Sequence, residues 1–275
     1  MYPVLLRIPM PWGELPLYSY SVMVVVSFVV ALTYTYFEAR RIGESTDRVI
    51  DISFWIFLCS ILGARALDVA VTWRSYVGRP LDVFKIWQGG LAYYGGFFGA
   101  ISSSLVFIWY HRLPTGKWAD LLAPIGTIDA AFGRIGCLLN GCCYGRPAPD
   151  LAWAITYPPG HLPVPFDHIP LHPAPIYESA VGFLLTGLLI WIAHRPHRPG
   201  QVIWTMVLGY SVARFFIEYY RADPRGGLLL LGLPLSTSQI IAIPLVLVSL
   251  FALVWIFRQP LPKPRNASII RGEIS

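Results

Sequence analysis

The chain has 275 residues, 55% of them hydrophobic and only 13% charged, with a formal net charge of +6 and a mean hydropathy of +0.56. A soluble domain carries about a quarter charged residues, so this composition excludes an ordinary water-soluble globule. Lys and Arg flank the apolar runs with little aromatic interleaving, which argues against a nucleic-acid face and for a membrane surface.

In chain order the apolar runs predict an all-α membrane protein, a polytopic bundle of about seven transmembrane helices forming one integral membrane domain over residues 1–275. The first span is placed near 17–38. No basic region and small-residue cleavage site accompany it, so it reads as an uncleaved insertion signal. Spans near 49–72, 90–111 and 118–139 follow. Residues 140–172 carry prolines at 147, 149, 158, 159, 163, 165 and 170, which exclude a continuous helix. They are expected to form an ordered extracytoplasmic cap loop with a short strand around Trp153–Thr156. Spans near 173–193, 201–221 and 236–257 complete the bundle, and the polar tail 258–275 is expected to fray.

The connections set the orientation. One side receives Arg40, Arg41, Arg48, Arg112, Lys117, Arg195, Arg198 and the tail with Arg258, Lys263, Arg265 and Arg271. The other receives Arg7, Arg74, Arg79, Lys85, Arg146, Arg221 and Arg225. By the positive-inside rule the first side is cytoplasmic and the amino terminus lies outside.

Charges inside a span cost ~2.5–3.5 kcal/mol each on insertion scales and call for an explanation. Arg65, Arg134, and Arg214 with Glu218 are the main examples. Tyr210, Arg214, Glu218 and Arg221 are spaced at four, four and three residues, one polar stripe on a helix. A structural Arg–Glu pair gluing helices together is one reading of it. An uncompensated arginine serving an anionic ligand such as a lipid phosphate is the other, because its fork binds bidentately.

The densest signal is Phe132-Gly-Arg-Ile-Gly-Cys-Leu-Leu-Asn-Gly-Cys-Cys-Tyr-Gly-Arg146, where Gly133, Gly136, Gly141 and Gly145 permit close approach around Arg134 and Asn140. Cys137, Cys142 and Cys143 are a poor match to a closed zinc site, even with His172 as a fourth ligand. Buried packing or a disulfide explains them better, so no metal and no cofactor is expected. In Trp87-Gln-Gly-Gly-Leu-Ala-Tyr-Tyr-Gly-Gly96 the glycines open room around Tyr94. His172-Pro-Ala-Pro-Ile-Tyr-Glu178 opens the fifth span; helix-start chemistry covers its prolines and Glu178, but less well His172 and Tyr177.

Taken in order, these pieces resemble the prolipoprotein diacylglyceryl transferase family through nearly the whole chain. The landmarks are Tyr18-Ser-Tyr20, Gly63-Ala-Arg65, Gln88-Gly-Gly90 with Gly95-Gly96, Gly133-Arg-Ile-Gly136 with Asn140-Gly141 and Gly145, His172-Pro173 with Tyr177-Glu178, Gly209-Tyr210 with Arg214, Glu218 and Arg221, and Ser238-Gln239. The resemblance implies a multi-pass enzyme of the bacterial inner membrane. It would move the diacylglyceryl group of phosphatidylglycerol to the lipobox cysteine thiol of a prolipoprotein signal peptide, forming a thioether and releasing glycerol phosphate. It implies Arg134, Arg214 and Tyr94 as catalytic residues. Tyr20, Asn140, Gly145, Tyr210, Glu218, Arg221, His172, Tyr177 and Glu178 would bind substrate. Membrane lipid is a partner and nucleic acid is not.

Three positions depart from the family pattern. Tyr94 stands where the family usually carries histidine in Gly-Gly-x-x-x-His-Gly-Gly, Cys137 where it carries asparagine, and Cys142 where it carries glutamate. The first removes the obvious general base, since a tyrosine near its reference pKa of ~10 is mostly protonated at neutral pH. Two rival readings are a divergent transferase of the same fold with another acceptor, and a lipid transporter or flippase with a central arginine site. A transporter often shows two repeated halves, and no such symmetry is visible in the sequence.

Overall fold

The computed structural model describes residues 2–10, 13–85, 89–158, 162, 166–222, 227–230 and 233–261. Gln88, Arg225, prolines 159, 163 and 165, and the predicted tail beyond 261 lie outside the described residues. Among the described residues seven α-helices carry the chain: α1 (Ser19–Arg41), α2 (Thr46–Val71), α3 (Tyr93–Tyr110), α4 (Thr115–Asn140), α5 (Ala174–Ala193), α6 (Gln201–Ile217) and α7 (Thr237–Phe257). Each falls on one of the seven predicted spans. By length and composition α1, α2, α4, α5 and α7 can cross a membrane. α3 and α6, with 18 and 17 residues, sit at the short end of the ~20 that a span needs.

Local chemistry sets the helix ends. Ser45 caps α2 by accepting from the Arg48 amide, and Asp47 sits in the positive first turn. Ser236 and Gln239 form a capping box at α7, bonded at 3.2 Å and 3.1 Å. Arg40 and Arg41 close α1 at its negative end. α6 stops at Ile217 and tightens into a single 3₁₀ turn, Glu218–Tyr220, after which Arg221 has extended backbone. The predicted stripe therefore runs along one helix only as far as Glu218.

Two antiparallel hairpins, β1 (Val4–Met10) with β2 (Gly13–Tyr18) and β3 (Gly227–Leu230) with β4 (Leu233–Ser236), lead into α1 and α7. Neither is expected from the sequence, because short apolar strands abutting a helical run blend into its hydrophobicity. The predicted strand near Trp153–Thr156 is a single bridge, Ile155 to Leu171.

The chain packs as two compact units, Val30–Leu121 and Met1–Val29 with Leu122–Ser275. In the first, α2 and α3 meet through glycines: a Cβ on Gly95 would overlap the Gly63 carbonyl oxygen, and one on Gly99 the Cys59 carbonyl oxygen. Close backbone approach through small residues is how helices associate where lipid removes the hydrophobic driving force. Gly95 is thus spent on helix packing. Arg65 gathers the loop before α3, donating to the carbonyls of Val83 (2.8 Å), Asp82 (2.5 Å), Gly89 (2.8 Å) and Gly90 (2.9 Å), with Asp68 at 3.7 Å. Gly89 and Gly90 take positive φ (90° and 72°) to present those carbonyls. Arg65, singled out in the sequence as an intramembrane cation, is therefore a loop organiser with its donors committed.

In the second unit polar side chains bond between helices. Ser27 donates to Asp129 (2.9 Å), Ser179 to the Ala131 carbonyl (2.9 Å) and Thr186 to Thr127 (2.8 Å). Gly182 lets α5 close on Ala131, whose backbone nitrogen lies 2.8 Å from the place a Cβ would take. The loop after α4 has its own core of Tyr144, Tyr157, Leu162 and Leu171, joined by Ile155, Phe166 and Ile169.

The outward faces of the helices are apolar. Phe251, Trp109 and Leu184 are each about three-quarters exposed, and Phe54, Trp55, Phe98, Leu247 and Trp255 lie open as well. Meanwhile Ser27, Thr127, Glu178, Ser211, Arg214, Arg221 and Ser249 are buried. Apolar side chains outside and polar ones inside suit hydrocarbon, not water, as the solvent.

Candidate functional site

One carboxylate organises the buried charge. Glu178 lies early in α5, after Pro173 and Pro175 at the helix start. Its Oε2 is 2.7 Å from Arg134 Nε of α4. Its Oε1 accepts from Arg214 Nη1 of α6 at 3.1 Å and also from Arg221 Nη1. Arg214 Nη2 turns to Ser238 Oγ at 3.1 Å and to Glu218 Oε2 at 2.6 Å; the latter is an ion pair by distance whose angle is not that of a hydrogen bond. Three guanidinium groups and two carboxylates thus share one network of ion pairs.

Arg134 and Arg214, expected from the sequence to be uncompensated, are both paired. The error has a plain cause: Glu178 lies 36 or more residues from them in sequence, and its place near a helix start gave it a local explanation. Arg221, counted among the loop charges that set orientation, is buried as deeply as any of the group. Asp129, bonded to Ser27, is an intramembrane carboxylate that sequence reasoning passed over, although an Asp in the middle of the apolar run of α4 was signal enough.

The three arginines are not equivalent. The Arg221 side chain is 1% exposed and Arg214 10%, whereas Arg134 is 19% exposed. Arg134 Nη1 points to the thiols of Cys143 (3.4 Å) and Cys137 (3.9 Å), and among the described residues its Nη2 has no partner. A tight crevice of about 10 Å³, walled by Ala130, Val181, Tyr210, Ala213 and Ile217, borders Glu178 and Arg214. A roomier cavity beside Arg65, lined by Ser75, Tyr76, Arg79 and Asp82, is polar, and its arginine is already committed.

The glycines of the dense motif divide by task. Gly136 receives Tyr20 and Met23 of α1, with a Tyr20 ring carbon 3.1 Å from where its Cβ would be, and Gly141 turns the chain with φ 77°. Gly145 threads between His172 and Tyr220 while bridging to Arg221, and Arg146 donates to the carbonyls of Tyr220 (2.8 Å) and Arg221 (3.0 Å). Gly145 therefore positions the backbone that carries Arg221. A Cβ there would overlap the His172 carbonyl and lie 2.8 Å from Tyr220 O, whereas one at Gly133 meets nothing within 4 Å. Gly145→Ala is expected to destabilise by ~1–3 kcal/mol and to lower turnover at least tenfold, with Gly133→Ala folding normally; thermal unfolding and activity assays on the pair check this.

The other predicted site residues fall in two groups. Tyr210, half-open at the crevice, sits on the same face of α6 as Arg214, and Asn140, the last residue of α4, lies against the Cys142 thiol. Tyr20 is partly exposed at the start of α1. His172 and Tyr177 belong to an aromatic cluster: Trp153 Nε1 donates to Tyr177 Oη at 2.9 Å, which lies 3.2 Å from His172 Nδ1, and the His172 ring packs on Tyr220 at 5.0 Å. Tyr94 stands in the Val30–Leu121 unit, exposed in the first turn of α3 and edge-on to Tyr93 at 5.8 Å. In the turn after α4 the Cys143 thiol is held below its ordinary pKa, first by hydrogen bonds from the neighbouring Cys137 and Cys142 thiols and further by Arg134 and Arg221.

A model of the prolipoprotein diacylglyceryl transferase family matches residues 3–255. The phosphatidylglycerol–prolipoprotein diacylglyceryl transferase of Methylibium petroleiphilum is 34% identical over 259 residues, 90% of this chain and 94% of its own. That of Bordetella parapertussis is 35% identical over 254 residues (89% and 91%), and that of Rhodospirillum rubrum 31% over 261 (92% and 91%).

Proposed function

The chain belongs to the prolipoprotein diacylglyceryl transferase family, and on that premise we propose that it moves the diacylglyceryl group of phosphatidylglycerol to the lipobox cysteine of a prolipoprotein signal peptide. The glyceryl carbon–oxygen bond breaks, a carbon–sulfur bond forms, and glycerol phosphate leaves. The observation that carries the reading is the convergence of Arg134, Arg214 and Arg221 on Glu178 inside an apolar helix bundle.

In this reading Arg134 meets the phosphate, through Nη2 and the Nη1 edge that the thiols now share. Arg214, steered by Glu218 and Ser238, is the second donor. Glu178 and Arg221 hold both in place. Charge builds on the departing phosphate as the bond breaks, and a preorganised donor in a water-poor site is worth ~3–4 kcal/mol of barrier. Tyr20, Asn140, Gly145, Tyr210, His172 and Tyr177 border the same unit's lipid and peptide paths. The enzyme sits in the bacterial inner membrane with its amino terminus outside, as the basic loops suggest.

Tyr94 replaces the family histidine. We assign its hydroxyl a hydrogen-bond donor role rather than that of a base, since a phenol O–H is a ready donor. Tyr94→Phe is expected to lose activity clearly and Tyr94→His to keep it in part or in full; a Phe variant as active as wild type would make Tyr94 a packing residue.

The test of the whole reading is reconstitution. Purified protein with phosphatidylglycerol vesicles and a lipobox peptide is expected to yield a thioether-linked peptide, and the gene to complement a strain depleted of the transferase. Lipid movement between leaflets without peptide modification would favour the flippase reading instead.

A further inference from the structure

Three of the four cysteines form a cluster for which the proposed reaction has no use, since the attacking thiol belongs to the substrate. Cys137 is buried in the last turn of α4, and Cys142 and Cys143 occupy the turn that follows. Gly141 (φ 77°) and Cys143 (φ 61°) take left-handed backbone there, which folds the turn back on the helix. The three sulfur atoms lie within 4.8 Å of one another.

We propose that Cys137, Cys142 and Cys143 form a three-coordinate site for a thiophilic monovalent cation of the Cu(I) class, and that its occupancy restrains Arg134. Metal–sulfur bonds of ~2.3 Å in a planar trigonal arrangement put sulfur atoms about 4 Å apart, a closing of less than 1 Å from the present limit. Soft thiolates select Cu(I) over harder cations. Zinc wants a fourth ligand, and among the described residues no histidine or carboxylate joins the group; His172 is engaged with Tyr177. Binding exchanges three S–H protons for one cation, with no change of oxidation state. The product carries two negative charges beside the Arg134 Nη1 that already lies 3.4 Å from Cys143 Sγ, an outer-sphere donor of the kind that tunes metal sites. That hold competes with any anion Arg134 would otherwise take. This second limb rests on the proposed phosphate role of Arg134; the metal site itself does not.

The experiment uses the full chain in detergent, reduced and anaerobic, titrated with Cu(I) against a chromophoric chelator. One equivalent is expected to bind with sulfur-to-metal charge-transfer absorption. It should be retained in Cys59→Ser and lost in the triple Cys137→Ser, Cys142→Ser, Cys143→Ser variant. The single Cys142→Ser change, which leaves two ligands, is expected to weaken binding at least tenfold and serves if the triple variant folds poorly. In transfer assays bound Cu(I) should lower kcat/KM for phosphatidylglycerol about tenfold in wild type, mainly through kcat, and leave the triple variant, active without metal, unaffected. Failure of reduced wild type to hold more Cu(I) than the triple variant overturns the site. Binding with an unchanged kcat/KM overturns the link to Arg134 while leaving the metal site standing.

Discussion

Glu178→Ala is expected to lower the unfolding temperature in detergent by roughly 10 °C and to abolish transfer. Removing one partner of a buried ion pair costs ~3–5 kcal/mol, because the remaining charge is left without its counterion. Here three guanidinium groups lose the carboxylate on which they meet, while Arg214 keeps Glu218. Glu178→Gln keeps the shape and one acceptor oxygen, so it is expected to fold with a smaller loss while turnover drops at least a hundredfold, because Arg134 and Arg214 are no longer drawn together. Unfolding followed by intrinsic fluorescence, alongside transfer rates, separates the two effects. An alanine variant melting within two degrees of wild type would show that the arginines find other partners and that Glu178 is not the hub.

The dependence on a single carboxylate is the part of the site that the sequence hid. All seven helices were legible, because each apolar run of about twenty residues has one low-energy solution in hydrocarbon. Arg134, Arg214, Arg221 and Glu218 were legible as functional candidates, because a charge in such a run must be explained. What they touch was not. Glu178 follows two prolines at a helix start, where a carboxylate is ordinary, and its three partners come from two distant segments. Arg65 misled in the opposite direction: it carries the same signal of an intramembrane cation, yet four backbone carbonyls consume its donors. Sequence can mark the cost of a buried charge; only geometry shows whether backbone, carboxylate or ligand offsets it. The glycines teach the same lesson: Gly136 and Gly145 left open whether a backbone or a headgroup approaches and Gly95 read as room around Tyr94, and each proves to receive a neighbouring segment of the chain.

That distinction separates the two arginines on which the reaction is proposed to depend. Arg214 bonds Glu178, Glu218 and Ser238 and is nearly enclosed. Arg214→Ala is therefore expected to lose stability and activity together. Arg134 has one carboxylate contact through Nε, a soft contact with two thiols and more exposure than its neighbours. Arg134→Ala leaves Glu178 still paired with Arg214 and Arg221, so the protein should unfold within a few degrees of wild type. Its kcat/KM for phosphatidylglycerol should nonetheless fall ~10²–10³-fold, the cost of losing one preorganised donor to a developing oxyanion. Arg134→Lys keeps the charge but loses the planar fork, since one ammonium cannot serve Glu178 and a phosphate oxygen in the same geometry. It is expected to recover no more than about a tenth of the activity, a loss of at least ~1.4 kcal/mol in transition-state stabilisation. The split between KM and kcat carries further information: a group that holds the phosphate equally in ground and transition state raises KM alone, whereas one that tightens as the bond breaks lowers kcat. The open Nη2 of Arg134, in reach of a charge that grows only during departure, predicts the second pattern. An Arg134→Ala enzyme with wild-type kcat and a raised KM would reduce Arg134 to a substrate anchor and shift the chemical role to Arg214.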